Sequence, residues 1–443
     1  MSAATRPGAI LLPALLLSSF AAAPLRAQDG PIRLSLDEAV QRAVTVNEDV
    51  LMARAEKARV EGSATEVRAN ALPDVSLDFG YTRNLQTPVL FFNTPEGTDQ
   101  ISIGNDHDYA FTLSVDQPLL DFSLGPARSA ARLAARAADA GVESARVVVA
   151  MNVRNAYYTV LLDEALLRVQ EQALAQAQAR LDQVRSFERA GTASEFDLLT
   201  AEVEVENIRP QVIEAANTLA VDRDRLKRLI GMPLDAELAL TDALADPSPE
   251  PTLEEAVQRA LSNRPDLEGQ RLLVDFQSEN LTAENRSFLP TMSWNTTLLR
   301  RASSDDFLPP ERDFSQTLTT GVLFELPLFD GRERSGRIQQ AKASQTLERY
   351  RLEQQVEVVR LEVQQSHRNL GAARERIEAS RSNVRRAERA LEIAQVRFAS
   401  GLGTQVELND AELAVTQART NAIEALFAYN VARAQLRRAM GER

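Results

Sequence analysis

The 443-residue chain carries 50 Lys and Arg against 63 Asp and Glu, a formal net charge of −13, and has no cysteine. That balance argues against general nucleic-acid binding, which needs basic patches. The missing thiols exclude disulfides, thiolate metal sites and a lipid-anchored N-terminal cysteine. Aromatic residues make up 5% and glycine is scarce, while Ala, Leu, Glu, Gln and Arg abound, a composition suited to long helices.

Residues 1–27 have the layout of a secretory signal peptide: Arg6, an apolar run from Ala9 to Ala23 broken by Pro13, Ser18 and Ser19, and a small residue at Ala27. The run is shorter than the ~20 residues a spanning helix needs, so export is expected rather than anchoring. Cleavage after Ala27 leaves 48 basic and 63 acidic residues.

The rest of the chain contains one plan twice. The segment from Leu36 to Ala43, LDEAVQRA, matches LEEAVQRA from Leu253 to Ala260. Leu72-Pro73 matches Leu289-Pro290, and Pro118-Leu119-Leu120-Asp121 matches Pro327-Leu328-Phe329-Asp330. Gly191 matches Gly401, and from there the offset stays at 210. This predicts a first repeat over 28–231, a Pro-containing linker over 232–252 and a second repeat over 253–443.

Each repeat opens with a helix of about 35 residues, over 36–70 and 253–287. Two alternating segments follow, over about 73–83 and 108–118 in the first repeat and 290–299 and 315–327 in the second. Val75, Leu77, Phe79 and Tyr81 alternate with Ser76, Asp78, Gly80 and Thr82, and Tyr109, Phe111, Leu113 and Val115 alternate likewise. Period two gives one apolar and one polar face. The strands reach the ~9–11 residues of a transmembrane β-strand. A soluble sheet lying on helices remains the other reading. Four strands cannot close a barrel, and lipid does not tolerate an open edge, so membrane-spanning strands require several chains in one barrel. The connections over 83–108 and 299–314 are then polar external loops, and Pro118 and Pro327 end the strands on the opposite side.

Very long helices come next, over 126–190 and 333–400, with return helices over 194–231 and 404–440. About 65 residues at ~1.5 Å each reach about 100 Å. Leu167, Leu174 and Leu181 with Ala177 and Val184 form a heptad seam, answered by Leu198, Ala201, Val205 and Ile208. Ile377, Val384, Leu391 and Phe398 repeat it, facing Leu408, Ala411, Val415 and Ala418. A free coiled-coil hairpin of an adaptor type would share this seam, but not the strands.

Two repeats with Leu-x-Glu-Ala, Leu-Pro before a strand, a strand ending in Pro-Leu-x-Asp, and a Gly turn before Leu-x-x-Ala-Glu resemble the TolC-like outer-membrane efflux family across residues 28–443. The resemblance implies a mainly α protein with a shared transmembrane β-barrel: a homotrimer with a twelve-stranded barrel over a periplasmic coiled-coil tunnel. It implies an exit duct in the outer membrane of a Gram-negative-type cell, conducting passively for efflux or type I secretion. The implied partners are outer-membrane lipid, a periplasmic adaptor of the membrane-fusion type and an inner-membrane pump, either a drug or metal antiporter or an ABC exporter. The alternative is a periplasmic coiled-coil structural or adaptor protein with no pore.

Residue by residue, the resemblance puts two acidic pore rings on Glu407 and Asp410, three apart on one helix. Ordinary surface carboxylates are the other reading. It keeps the gate aspartate as Asp197, but the family's gate tyrosine is Phe398 here and its turn arginine is Gly403, so the family's polar latch is expected to be absent. It makes Gly191, Thr192, Ala193 and Ser194, with Gly401, Leu402, Gly403 and Thr404, the adaptor-contacting tips. His107 and His367 are far apart in sequence, one expected in a loop and one on a helix, and no phosphate loop, dinucleotide fingerprint or nucleophile elbow occurs. No enzyme activity, cofactor or metal is expected.

Overall fold

A computed structural model describes residues 32–95 and 97–442. The expected signal peptide lies outside the described residues. In the first half the elements are β1 (Ile32–Leu34), α1 (Leu36–Val46), α2 (Glu48–Ala69), β2 (Asp74–Arg83), β3 (Val89–Thr94), β4 (Gly97–Ser102), β5 (His107–Leu120), α3 (Leu124–Arg189) and α4 (Glu195–Leu229). β6 (Leu238–Leu240) follows, then α5 (Leu253–Asn263), α6 (Pro265–Arg286), β7 (Thr291–Ser304), β8 (Phe314–Glu325), α7 (Glu333–Ala399) and α8 (Gln405–Ala439).

The opening helix predicted for each half is two helices, and each break has a local cause. Asn47 leaves the helical region; its side chain accepts the Asp49 N–H at 3.0 Å, capping α2, and donates to the Leu229 carbonyl at 3.1 Å. In the second half Arg264 precedes Pro265, which disfavours the helical conformation before it and starts α6. Arg264 donates to the Ala439 carbonyl at 3.3 Å. Ala439 lies 210 residues after Leu229, so both breaks serve the end of the corresponding return helix.

β2, β5, β7 and β8 form one antiparallel sheet in that order. Its register places Leu77, Leu113, Leu298 and Leu318 in one row across all four strands. On the other face Ser76, Ser114, Thr297 and Thr319 form the neighbouring row. The apolar row is bracketed by Tyr81 and Tyr109 towards one end and by Trp294, Met292 and Phe324 towards the other. From Ala302, opposite Tyr109, to Met292 is ten residues, along which the same face of β7 also carries Arg300, opposite Phe111, and Thr296. That is ~33 Å along the strand, or about 25 Å at the ~40° tilt of a membrane barrel strand.

Strand limits differ from the alternation pattern in three places. β5 starts at His107, whose Nδ1 lies 2.9 Å from the Tyr81 hydroxyl, so this histidine is in the sheet rather than in a loop. β5 also passes Pro118 with a register irregularity and ends at Leu120. β7 continues to Ser304. The connection after β2, expected as a polar loop, holds the hairpin β3–β4, because Val89-Leu90-Phe91-Phe92 is a β-prone run.

The helices carry the fold's length: α3 has 66 residues and α7 has 67, so each runs about 100 Å. α3 packs on α2, α4, α6 and α8, and α7 packs on α5, α6 and α8. β1 and β6 pair in parallel, laying the segment between the halves against the N-terminal strand. Onward from β6, the chain crosses α8, where Asn430 and Ala245 exchange two hydrogen bonds and Tyr429 bonds Glu250 and the Ser248 N–H. One core joins β1, α1, α3 and α4, including Val149, Val153, Tyr157 and Leu226; a second joins α5, α7 and α8, including Val359, Val363, Leu370 and Tyr429. Val149, Val153 and Val160 correspond to Val359, Val363 and Leu370 at the 210-residue offset.

One pair breaks that symmetry. Asp163 and Asp222 are buried between α3 and α4 where the second half has Ala373 and Ala432. Asp222 accepts from Arg225 at 2.6 Å. Burial, then the hydrogen bond and charge of Asp222, push the Asp163 carboxyl up to about 6. The folded state therefore holds this proton more tightly than the unfolded chain, whose aspartates titrate near ~3.9. Stability falls as pH rises between these values, by roughly 3 kcal/mol per chain. Asp163→Asn should raise the melting temperature at pH 7.5 and leave it unchanged at pH 4, in thermal melts across that range.

Candidate functional site

The sequence-matched gate residues lie at the far end of the helix hairpins, around the turns α3–α4 and α7–α8. Both turns end their long helix in the same way. The Gly191 N–H bonds the Glu188 carbonyl at 2.8 Å and the Thr192 N–H bonds the Phe187 carbonyl at 2.9 Å; Gly401 and Leu402 repeat this with Phe398 and Arg397. This helix end needs a left-handed residue, and Gly191 and Gly401 both have φ +74. Ser194 and Thr404 then cap the return helices. Ala193 and Gly403 are half-buried, and the other tip residues are exposed.

The two caps differ in what the third helical residue does. In the first half Asp197 Oδ2 accepts from the Ser194 N–H at 2.9 Å and from its hydroxyl at 2.6 Å. The Ser194 hydroxyl, then its N–H, hold this carboxyl below the usual aspartate range. Asp197 is thus committed to a capping box. In the second half the Glu407 N–H is capped by Thr404 at 3.2 Å, but the Glu407 side chain does not close the box. Its Oε2 lies 3.6 Å from Arg397 Nη2, and Arg397 also donates to the Leu402 carbonyl at 3.2 Å.

Arg397 was not singled out by sequence, and it supplies a cation beside the acidic position from the last turn of α7. Gly403 makes room for it. A Cβ at 403 would stand 3.1 Å from the Arg397 Cβ and 3.2 Å from Glu407 Oε2. Phe398, next to Arg397, is half-buried on α7. Asp410 is exposed one turn beyond Glu407 and lines a groove of about 380 Å³ with Gln176, Thr200, Asn207, Asn409 and Leu413.

Behind this groove lies a second feature invisible to motif reading. Arg180 of α3 is 5% exposed. Its guanidinium meets Glu204 of α4 at 3.1 Å, and Glu412 and the Asn409 side-chain oxygen of α8. Burial pulls its pKa down and Glu204 opposes that shift. One buried cation therefore joins the first hairpin to α8 immediately beside Asp410. Just beyond it, Ala177, Leu181, Val184, Ala201 and Val205 form the buried seam of the first hairpin. Of their counterparts at the 210-residue offset, Ala387, Leu391, Ala394 and Ala411 are half-buried and Val415 is buried.

The sequence matches the family described as outer membrane efflux protein over residues 39–232 and 256–442. It is 26% identical over 377 residues to the alkaline protease secretion protein AprF of Pseudomonas aeruginosa, covering 84% of this chain and 76% of AprF. It is 23% identical over 414 residues to the outer membrane protein TolC of Vibrio cholerae, covering 92% of this chain and 90% of TolC. Its fold is similar to the crystal structure of the CmeC outer membrane channel of Campylobacter jejuni, with a TM-score of 0.76 and 17% identity, covering 92% of this chain and 85% of CmeC.

Proposed function

The chain belongs to the outer membrane efflux protein family, and from that membership we propose that three copies share one twelve-stranded barrel above a helical tunnel. The protein is an outer-membrane exit duct with a periplasmic extension, working with a periplasmic adaptor and an inner-membrane pump. The observation that carries the barrel is the open sheet. β2 and β8 are its edges, and Val75, Leu77 and Phe79 of β2 with Leu318, Val322 and Phe324 of β8 are 61–70% exposed. Such edges and such a face are stable when neighbouring copies pair with the edges and lipid covers the face. With four strands, β8 of one copy runs antiparallel to β2 of the next, as closure requires. A pore-free periplasmic protein has no support among the relatives.

The two tandem repeats, 28–231 and 253–443 about the segment 232–252, each supply two strands and one coiled-coil hairpin. In this reading Glu407 and Asp410 from three chains form two negative rings at the periplasmic constriction, which favour cations. Arg397 replaces the family's turn arginine as the cation that restrains Glu407, while Asp197 works as a cap and Phe398 by packing. The turns at Gly191–Ser194 and Gly401–Thr404 receive the adaptor. The pump, drug or metal antiporter or ABC exporter, selects the substrate and supplies the energy, and the duct conducts passively.

Protein reconstituted in planar bilayers should conduct and prefer cations. Glu407→Gln with Asp410→Asn should lower the cation-to-anion permeability ratio roughly threefold or more. An unchanged ratio in the double variant would remove the rings from the account.

A further inference from the structure

Three arginines are buried among the described residues: Arg154, Arg180 and Arg264. Arg180 meets Glu204 and Glu412, and Arg264 meets Asp266 at 2.8 Å and Glu362 at 2.6 Å. Arg154 is 5% exposed and, among the described residues, makes no ion pair and no hydrogen bond. Burying an uncompensated guanidinium is costly, so a buried arginine ordinarily has its anion.

Arg154 lines a pocket of about 250 Å³ at mid-height in the helical body, where the two halves of the chain meet. Its other walls hold Tyr158, Arg433, Arg437, Asp37 and Asp242. Arg154 and Tyr158 are one turn apart on α3, as Arg433 and Arg437 are on α8, so each pair projects from one helix face. α3 and α8 pack against each other. Burial pushes the Tyr158 hydroxyl up, and Arg154, Arg433 and Arg437 all oppose that shift. Burial, then repulsion by Arg437, pull the Arg154 pKa down.

The two carboxylates do not balance these cations. Asp242 Oδ2 already accepts from the Leu36 N–H at 2.6 Å and from the Tyr157 hydroxyl at 3.0 Å. Asp37 is exposed in the first turn of α1, where the helix N-terminus favours it. Arg437 has one long ion pair, 3.7 Å to Glu442. Arg433 makes none among the described residues, whereas its counterpart 210 residues earlier, Arg223, meets Glu164 at 2.8 Å.

We propose that Arg154, Arg433, Arg437 and the Tyr158 hydroxyl form a binding site for a small oxyanion of the phosphate type, which staples the first half of the chain to the second. Guanidiniums match such oxygens with paired donors, and the phenol adds one more. The volume admits one tetrahedral oxyanion with a few waters. Arg154 lies 30 residues into α3, ~45 Å from the sheet end of that helix, which puts the site beyond reach of a bilayer headgroup. The site stands apart from conduction and does not depend on the pore rings.

The test is titration of inorganic phosphate into the detergent-solubilised protein, followed by calorimetry and thermal unfolding, against chloride at matched ionic strength. Saturable heat and a saturable rise in melting temperature with phosphate alone are expected. Arg433→Gln and Arg437→Gln should each weaken binding roughly tenfold while circular dichroism and oligomer size stay unchanged. Equal responses to phosphate and chloride, or undiminished binding in Arg433→Gln, would overturn the proposal. So would absent phosphate binding together with a less stable oligomer in Arg433→Gln, the signature of a carboxylate from a second copy in the pocket.

Discussion

Leu298→Arg is expected to lower accumulation of the protein in the outer membrane severalfold, whereas Thr297→Arg is expected to be tolerated. The two residues are adjacent on β7 and face opposite ways. Leu298 belongs to the row with Leu77, Leu113 and Leu318, near the middle of this face, whereas the native Arg300 lies one row nearer the Tyr109 end with its guanidinium 4.6 Å from the Phe314 ring centroid. Thr297 belongs to the row with Ser76, Ser114 and Thr319. An arginine on a lipid face near the bilayer midplane costs ~2–4 kcal/mol, and a shared barrel meets that cost once per chain. On the inner face the same side chain reaches water. Quantifying the protein in outer-membrane fractions checks both; equal accumulation of the two variants would contradict the facing of the sheet.

The second large effect is expected at Arg180. Its guanidinium is the buried contact that joins α3 and α4 to α8 beside Asp410. Arg180→Met leaves Glu204 and Glu412, at 25% and 17% side-chain exposure, facing each other without their cation. Removing one member of such a cluster typically costs about 3 kcal/mol, since the remaining charges stay partly buried. The expected results are a lower melting temperature and a larger resting conductance in bilayers, because α8 is released from the first hairpin. Adding Glu204→Gln and Glu412→Gln should restore most of the stability. A triple variant no more stable than Arg180→Met would show that the network does not set the position of α8.

The sequence made the strands readable because period two is a direct image of a sheet with one apolar and one polar face. The Leu77 and Ser76 rows appear where alternation put them. The turns were readable for an equally local reason, since Gly191 and Gly401 are the residues that accept φ near +74 at a helix end. The breaks at Asn47 and Arg264 were less visible, because both interrupt stretches of good helix formers and owe their position to distant carbonyls at Leu229 and Ala439. The hairpin β3–β4 was hidden by the polar residues around its apolar run.

The site divided along the same line. Positions 407 and 410 followed from alignment on Gly401. What surrounds them did not, because Arg397 reaches Glu407 across a turn, and Arg180 meets partners on two other helices, one of them 232 residues later. Asp197 matched the gate aspartate by position, yet its bonds to Ser194 are those of a cap.

The central claim is that three chains close one barrel by pairing β8 of each copy with β2 of the next. The chain has no cysteine, so introduced thiols report without background. Asp78→Cys on β2 combined in turn with Ser315→Cys, Thr317→Cys or Thr319→Cys on β8 scans the possible registers on one face. Oxidation in outer membranes should give, for at least one combination, a ladder that stops at three chains. No cross-link in any combination, or a ladder that continues past three, would contradict the shared barrel.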